Sequence, residues 1–282
     1  MDVATGEGVS AALAGVESVI HAASDPRRPN AVDVNGTQRL VEAAHAANIG
    51  HFVYVSIVGI DRIPLGYYKC KLAAEGIVAT SDLPYSILRA TQFHTFVNML
   101  LTNAARVPLV IPIPTTMRIQ SVAPTDTAER LLRCLENGPG QRLPDFGGPE
   151  VMTLGEAAEQ WRTARALRKR VMHLPVPGKV AAAFRAGENT VHEGAHGTIG
   201  WQEWLLKPKP IPEPSSRRTS RGECYRCSRS APSVTQSCLG RPHNQLSEPC
   251  QATDNYCSPA IWPLSLPQST LLRGHMKYTR LY

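Results

Sequence analysis

Three residues in the first third of the chain could together handle a proton and a carbonyl group. Tyr67 and Lys71 stand four positions apart, so on a helix their side chains share one face. A lysine beside a tyrosine favours the phenolate and is expected to lower the pKa of the tyrosine, which suits proton transfer near neutral pH. Ser56 ends an apolar segment and could orient a carbonyl oxygen. The spacing predicts a catalytic group of Ser56, Tyr67 and Lys71; the alternative is that residues 67–71 merely begin an amphipathic surface helix.

The segments around these residues alternate between strand-like and helix-like patterns. Strands are predicted at 18–23, 51–56 and 85–89, and helices at 34–47 and 68–80. This alternation favours an α/β fold with a parallel sheet and right-handed crossovers. Ligand-facing residues of such sheets gather at the carboxyl ends of the strands, where Ser56 is predicted to lie.

A glycine motif near the N-terminus resembles a phosphate-binding turn but lacks its context. Residues 6–11 (Gly-Glu-Gly-Val-Ser-Ala) fit the pattern G-x-G-x-x-A. That chemistry requires an apolar strand directly before the glycines, and residues 1–5 are too few and too polar to form one. The segment is instead predicted to be an exposed turn that caps a helix over 7–14.

A second helix signal lies in the C-terminal half of the chain. Thr153 and Glu156 have the spacing of a capping box, which predicts a helix start at this point. The basic run 168–170 is predicted to end this helix and to complement its C-terminal dipole rather than to bind a polyanion.

The net charge of +7 is distributed unevenly along the chain. Residues 207–282 hold 11 of the 30 basic residues and 4 of the 23 acidic ones, so residues 1–206 hold 19 of each. The neutral body and the sparse, unpatterned aromatic residues of the tail argue against a nucleic-acid partner. No run approaches the roughly 18 apolar residues of a membrane span, and the N-terminus does not resemble a secretory signal. A cytoplasmic protein without a membrane partner is therefore expected.

The composition changes sharply after residue 206. Residues 207–282 carry 10 of the 23 prolines and 5 of the 7 cysteines, without helical or strand periodicity. Such a segment cannot bury enough apolar surface to offset its ordering entropy, so a disordered tail is predicted. Cys224 and Cys227 have half of a zinc-knuckle spacing, but no second close pair follows, and no metal site is predicted.

The body resembles the NmrA-like branch of the atypical short-chain dehydrogenase/reductases. The resemblance rests on the order of Asp2-Val-Ala, Val19-Ile-His-Ala-Ala-Ser24, Asp33-Val-Asn-Gly-Thr37, Tyr54-Val-Ser-Ile-Val-Gly59, Gly66-Tyr-Tyr-Lys-Cys-Lys-Leu-Ala-Ala-Glu75, Ile87-Leu-Arg-Ala-Thr-Gln-Phe93, Phe146-Gly-Gly-Pro-Glu150 and Leu174-Pro-Val-Pro-Gly-Lys179. It implies a partial Rossmann-type domain that binds NAD(P) over 1–135, a small α+β substrate region over 136–206, and the tail over 207–282.

The resemblance also implies roles for individual residues. Asp2 corresponds to an acidic residue near the adenine, and Lys71 to the lysine at the nicotinamide ribose. Tyr67 corresponds to the catalytic tyrosine of the wider superfamily, and Ser56 to the residue at the end of the fifth family strand. The remaining positions implied are Ala22, Ala23 and Ser24 beside the cofactor ribose, and Thr91, Gln92 and Phe93 at the substrate cavity.

The chain departs from the family pattern at its start. The family opens with three strands and a glycine-rich turn before the position of Asp2, and these have no counterpart here. The expectation is a sheet without family strands 1–3, with an exposed apolar edge beside the strand at 18–23 and without a pyrophosphate site.

The leading hypothesis is an NAD(P)H-dependent oxidoreductase that acts on a small carbonyl or quinone-like substrate. A non-catalytic dinucleotide sensor is the alternative from a different class of protein, and a truncated product that binds no cofactor is a third. The substrate, the choice between NAD and NADP and the oligomeric state stay open, because the residues that normally decide the cofactor precede Asp2 in the family.

Overall fold

A computed structural model describes residues 1–207 and 279–281 of the chain. The strands are β1 Ser18–His21, β2 His51–Ile57, β3 Tyr85–Ala90, β4 Val110–Ile113, β5 Arg118–Ile119, β6 Gln141–Arg142, β7 Phe146–Gly147, β8 Met152–Thr153, β9 Arg170–His173, β10 Ala195–His196 and β11 Thr279–Leu281. The helices are α1 Val9–Leu13, α2 Asn35–Ala46, α3 Gly66–Ala79, α4 His94–Ala104, α5 Pro124–Glu136, α6 Leu154–Ala164, α7 Lys179–Ala186 and α8 Trp201–Leu206. A π-helical turn over Asn30–Val34 leads directly into α2.

The main sheet is parallel and has the order β10-β7-β3-β2-β1-β11, with β6 beside β3. Its centre is formed by β1, β2 and β3, which pair in parallel and are joined by the helical crossovers α2 and α3. The predicted α/β class and the alternation of strands and helices are thus confirmed. The largest shift among the three predicted strands is at β1, which ends at His21 rather than at residue 23.

The central strand β2 packs on both of its faces. Phe52 and Tyr54 lie in the cluster that α2 and α3 cover, whereas Val53 faces the cluster that contains Leu131 of α5. Alternation of side chains along a strand produces this division, and burying each large side chain contributes about 1.5–3 kcal/mol. The sheet is therefore covered by helices on both faces, and this packing fixes the position of the carboxyl ends of its strands.

A further core lies in the second half of the body. Val97 and Leu101 of α4 pack with Ile111 of β4, Trp161 of α6 and Trp201 of α8. The indole Nε1 of Trp201 donates a hydrogen bond of 3.0 Å to the carbonyl of Ala157. This cluster contains residues from both sides of position 135, the predicted boundary between the two regions of the body.

The free edge expected beside the first strand is paired. Thr279–Leu281 form β11, which lies parallel to β1 in the register Val19 to Thr279 and His21 to Leu281. These three residues correct the prediction of a tail without structure, because an unpaired edge offers backbone donors and acceptors that a short segment can satisfy. The remaining tail residues, 208–278 and 282, lie outside the described residues, and so does the prediction made for them.

The capping box is confirmed, but the role predicted for the basic run is wrong. The backbone N–H of Glu156 donates to Thr153 Oγ1 at 3.2 Å, and that of Thr153 donates to Glu156 Oε2 at 2.7 Å. Helix α6 ends at Ala164, before the basic run. Lys169 Nζ instead donates to the carbonyls of Ala105 and Val107, just beyond the end of α4. The cation complements the C-terminus of another helix, because the fold brings α4 closer to it than the end of α6.

The N-terminal glycines form turns, as predicted. Gly6 and Gly8 have positive φ angles of 84° and 70°, and no strand precedes them in the described part of the chain. The helix after them covers only Val9–Leu13 of the predicted span 7–14. Within the residues that the structure describes, no helix is long and apolar enough to cross a membrane.

Candidate functional site

The residues predicted to do chemistry lie at the carboxyl ends of β1 and β2 and in the first turns of α3. A sharp turn follows β2, where Gly59 has a φ of 82° and lies too close to the carbonyl of Glu188 to carry a side chain. Helix α3 begins at Gly66, after an extended N-cap residue, Leu65. Burial of Tyr68 in a small apolar cluster holds this helix start against α7.

Tyr67 is hydrogen-bonded to a serine, but this serine is Ser24 rather than Ser56. The hydroxyl groups of Tyr67 and Ser24 lie 2.5 Å apart, and Ser24 Oγ also donates to Asp33 Oδ1 at 2.5 Å. Because the single hydroxyl hydrogen of Ser24 is used on the carboxylate, Tyr67 must be the donor in its bond to Ser24. The three side chains form one hydrogen-bonded chain that runs from the phenol to the carboxylate.

Asp33 also belongs to this group of side chains, although no role was predicted for it from the sequence. Its side chain is 0% exposed, and its second oxygen accepts the backbone N–H of Asp25 at 3.2 Å. It lies in the π-helical turn before α2, and such turns are rare and concentrate at functional sites. A signal was present in the sequence: an acidic residue flanked by Val32 and Val34 indicates a carboxylate drawn into an apolar interior.

Lys71 completes the Ser24–Asp33–Tyr67–Lys71 cluster, in which Asp33 and Lys71 are buried and Ser24 and Tyr67 are half-buried. Its side chain is 3% exposed, and Nζ lies 3.7 Å from Asp33 Oδ1 and donates to the carbonyl of Val55 at 3.0 Å. The ammonium group also lies 4.3 Å from the centre of the Tyr54 ring, a cation–π contact. Burial lowers the pKa of Lys71 to about 8, and the carboxylate of Asp33 opposes this fall.

The expected lowering of the tyrosine pKa is not found. Burial raises the pKa of the Tyr67 phenol, and the nearby carboxylate of Asp33 raises it further. Lys71 does not reverse this shift, because its ammonium is directed to Asp33 and to the carbonyl of Val55. Tyr67 is therefore a neutral hydrogen-bond donor in the free protein.

Ser56 lies at the end of β2, as predicted, but its hydroxyl is unpaired. The residue is 2% exposed, and its Oγ has no hydrogen-bond partner among the described residues. A buried hydroxyl without a partner costs about 1–3 kcal/mol of stability relative to a paired one. The neighbouring carbonyl of Val55 is the one that Lys71 binds, so this unpaired hydroxyl lies next to the cluster in the strand.

Replacing Ser56 with alanine is expected to leave the free energy of unfolding unchanged or to raise it by up to about 1 kcal/mol, since no hydrogen bond is lost. Urea denaturation measures the effect. Ser86→Ala is the matched control, because Ser86 is 0% exposed but bonds to His51 Nε2 and to the backbone N–H of Gly140. The control is expected to lose about 1–3 kcal/mol. An equal loss in both variants would contradict an unpaired Ser56 hydroxyl.

The other residues implied for the cofactor lie beside the first strand. Ala23 is buried in a small cluster with Val3, so the N-terminal segment that carries Asp2 is next to the loop after β1. Ala22 lies in the same loop, half-buried. The carboxylate of Asp2 accepts the backbone N–H of Ala4 at 2.7 Å.

The residues predicted at the substrate cavity serve other contacts in the structure. Thr91 is buried, and its Oγ1 accepts the backbone N–H of Gly148. The carbonyl of Gln92 accepts the backbone N–H of Val122, and Phe93 packs in the cluster beneath α5. No described hydrogen bond joins these three residues to the Ser24–Asp33–Tyr67–Lys71 cluster. Their assignment to a substrate stays a prediction.

The polar groups of this edge suit the ribose end of a dinucleotide better than its pyrophosphate. An ammonium, a phenol and an unpaired buried hydroxyl supply donors and acceptors for ribose hydroxyls and an amide. A pyrophosphate normally lies at a glycine-rich turn between a strand and a helix, and the described residues contain no such turn. They also contain no group of three metal-ligating side chains.

Comparison with protein families points to the same ligand. Residues 1–137 match a family described as NAD(P)H-binding. The photosystem II assembly factor Ycf39 of Trieres chinensis is 29% identical over 145 residues. This match covers 48% of the chain and 44% of the relative, so the chain spans less than half the length of that protein.

Solved structures share the fold at low sequence identity. The NADPH-dependent quinone oxidoreductase QOR2 of Escherichia coli, in complex with NADPH, has a TM-score of 0.58 and 18% identity, over 73% of this chain and 81% of that one. A nucleoside-diphosphate-sugar epimerase of Staphylococcus aureus has a TM-score of 0.59 and 14% identity, over 73% and 82% of the two chains. Residues 1–137, just under half of the chain, are thus similar to an NAD(P)H-binding family, and the parallel sheet with its helical crossovers is of the Rossmann-like class.

Proposed function

We propose that the protein is an NAD(P)H-dependent oxidoreductase of the NmrA-like type that acts on a small carbonyl or quinone-like substrate. The observation that carries the proposal is the Ser24–Asp33–Tyr67–Lys71 cluster at the carboxyl edge of an NAD(P)-binding domain. A buried ammonium group beside a buried carboxylate and a half-buried phenol is costly to maintain, and such clusters concentrate at functional sites.

Residues in and beside the cluster would have separate roles in a carbonyl reduction. The nicotinamide, when bound, supplies the hydride. Lys71 would donate to a hydroxyl of the nicotinamide ribose, with Ala22 and Ala23 lining the loop beside it. Tyr67 would turn its phenolic hydrogen from Ser24 to the carbonyl oxygen and give up the proton as that oxygen gains negative charge. Ser56 would orient the carbonyl through the hydroxyl that has no partner in the free protein.

The remaining residues of the sequence prediction would bound the site. Asp2, beside the loop after β1, would approach the adenine, and Thr91, Gln92 and Phe93 would border the substrate. QOR2, a structural neighbour, is named as a quinone oxidoreductase, which supports testing quinones first.

A non-catalytic dinucleotide sensor is the second candidate. The raised pKa of Tyr67, which burial causes, favours it because a phenol held neutral is a weaker proton donor than an activated one. The partial match to an assembly factor points in the same direction. A sensor would bind the dinucleotide through Lys71 and the loop after β1 without transferring a hydride.

A binding assay followed by a turnover assay separates the two candidates. Fluorescence of the reduced nicotinamide is measured as the full chain is titrated into NADPH and, separately, into NADH. Oxidation of the bound cofactor is then followed with 1,4-benzoquinone and with benzaldehyde. Saturable binding with turnover supports the oxidoreductase, and binding without turnover supports the sensor. The absence of binding to either cofactor contradicts both candidates.

A further inference from the structure

The buried carboxylate of Asp33 joins the two residues on which the proposed chemistry depends. Its Oδ1 accepts the hydroxyl of Ser24, which is itself bonded to Tyr67. The same oxygen lies 3.7 Å from Lys71 Nζ. Tyr67 and Lys71 are therefore both connected to one carboxylate, although they are four residues apart on α3.

Local structure makes this position of Asp33 specific. The π-helical turn over Asn30–Val34 contains the residue, and the C-terminal end of the turn continues into α2. The carbonyl of Asp33 accepts the hydroxyl of Thr37 at 2.5 Å, which fixes the backbone as well as the side chain. Turns of this kind are rare and frequently lie at functional sites.

The number of available hydrogens determines how the chain of hydrogen bonds runs. An ionised carboxylate only accepts, so Ser24 donates to Asp33 and accepts from Tyr67. The proton of the phenol thus points to Ser24 in the free protein. Asp33, acting through Ser24, fixes the position of the Tyr67 oxygen, and the phenolic hydrogen turns from Ser24 to the substrate when it is transferred.

We infer that Asp33 is a positioning residue: it holds Lys71 as an ammonium and, through Ser24, fixes the hydroxyl of Tyr67. The inference rests on the proposed function, because Tyr67 and Lys71 are both part of the proposed reaction. An uncompensated ammonium would be costly at this depth, since burial disfavours the charged form of a lysine.

The charged and titratable groups around the pair come from four elements and from the loop after β1. Lys71 is faced by Asp33 from the π-helical turn, Glu75 from α3, His21 from β1 and Tyr54 from β2. Asp33 is faced in addition by Asp25, Tyr67 and Cys70. Glu75 also stabilises the ammonium, so removal of Asp33 is expected to lower the pKa of Lys71 only in part.

Asp33→Asn tests the inference with one readout that needs no substrate. The pKa of Lys71, about 8 in the parent chain, is followed by NMR of its side-chain methylene next to Nζ. It is expected to fall by about one pH unit in the variant, because the nearest opposite charge is gone. Asp25→Asn is the matched control; its carboxylate is more exposed and its backbone N–H still donates to residue 33, so the pKa of Lys71 should stay unchanged.

A second readout follows turnover with NADPH and 1,4-benzoquinone. In Asp33→Asn, kcat is expected to fall about tenfold or more and its alkaline limb to move to lower pH. Ser24→Ala is expected to lower kcat without moving that limb, since it cuts the link to Tyr67 but leaves the ion pair. If Asp33→Asn does not fold, the kcat of Ser24→Ala decides the test.

The outcomes separate this inference from the proposed function. An unchanged Lys71 pKa in Asp33→Asn, or parent-like kcat in Ser24→Ala, overturns the inference even where the parent chain reduces the quinone. If the parent chain shows no turnover, the oxidoreductase proposal is overturned. A fall in the pKa of Lys71 in Asp33→Asn would still support the role of Asp33 in keeping Lys71 charged.

Discussion

Replacing Tyr67 with phenylalanine is expected to lower turnover of NADPH with 1,4-benzoquinone by about 100- to 10,000-fold, the usual contribution of a positioned general acid. The phenolic hydroxyl is the group that the proposed reaction needs, and its hydrogen bond to Ser24 holds it at the edge of the sheet. Phenylalanine keeps the ring, so affinity for NADPH should change little. The change is measured as kcat at saturating cofactor, together with Kd for NADPH from nicotinamide fluorescence.

The neighbouring tyrosine provides a control of the same chemistry. Tyr68 is 1% exposed and packs in the apolar cluster with Ile60 and Ile63, so Tyr68→Phe removes an identical group one position away. This variant should keep parent-like turnover. Equal activity of Tyr67→Phe and the parent chain would contradict the role of Tyr67 as proton donor, and unchanged cofactor binding in that case would favour the sensor.

The general fold was predictable because its signals are local. Apolar runs and helical periodicity predict β1, β2 and β3 and the two crossover helices, and a parallel sheet follows from their alternation. The capping box at Thr153 is equally local and is confirmed. Patterns of this kind depend on residues a few positions apart, which the fold does not rearrange.

The contacts of the candidate site were only partly predictable. Tyr67 and Lys71 were identified from their spacing, but two serines end neighbouring strand segments, and nothing in the sequence says which one α3 approaches. The structure brings Ser24 to Tyr67 and leaves Ser56 unpaired. The angle at which α3 crosses the sheet decides between them, and that angle depends on packing over the whole body.

Charge was the least predictable property. Lys71 was expected to lower the pKa of Tyr67, but its ammonium pairs with Asp33 instead. The carboxylate of Asp33 raises the pKa of the phenol in addition to the effect of burial. Lys169 shows the same difficulty, since its charge complements α4 rather than the helix that precedes it in the chain. Buried charges respond to neighbours that are distant in sequence, so their partners emerge only from the folded chain.

The strongest expected effect on stability comes from Glu75, which forms a buried ion pair with Arg89. The guanidinium donates to both carboxylate oxygens at 2.8 and 2.7 Å, and its third nitrogen lies 3.1 Å from Asp61. Burial alone would lower the pKa of Arg89, but the two carboxylates raise it, so the guanidinium stays charged. The pair joins α3, which carries Lys71, to β3.

Glu75→Ala is expected to lower the free energy of unfolding by about 3–5 kcal/mol, because the variant leaves the Arg89 guanidinium buried with only Asp61 to neutralise it. Urea denaturation measures the loss. Glu159→Ala is the matched control, since Glu159 also pairs with an arginine, Arg162, but at the surface, where such a pair contributes about 0–1 kcal/mol. The double variant Glu75→Leu with Arg89→Met should recover most of the loss, because it removes the uncompensated charge as well. A loss in Glu75→Ala no larger than in Glu159→Ala would mean that this pair does not hold α3 on the sheet.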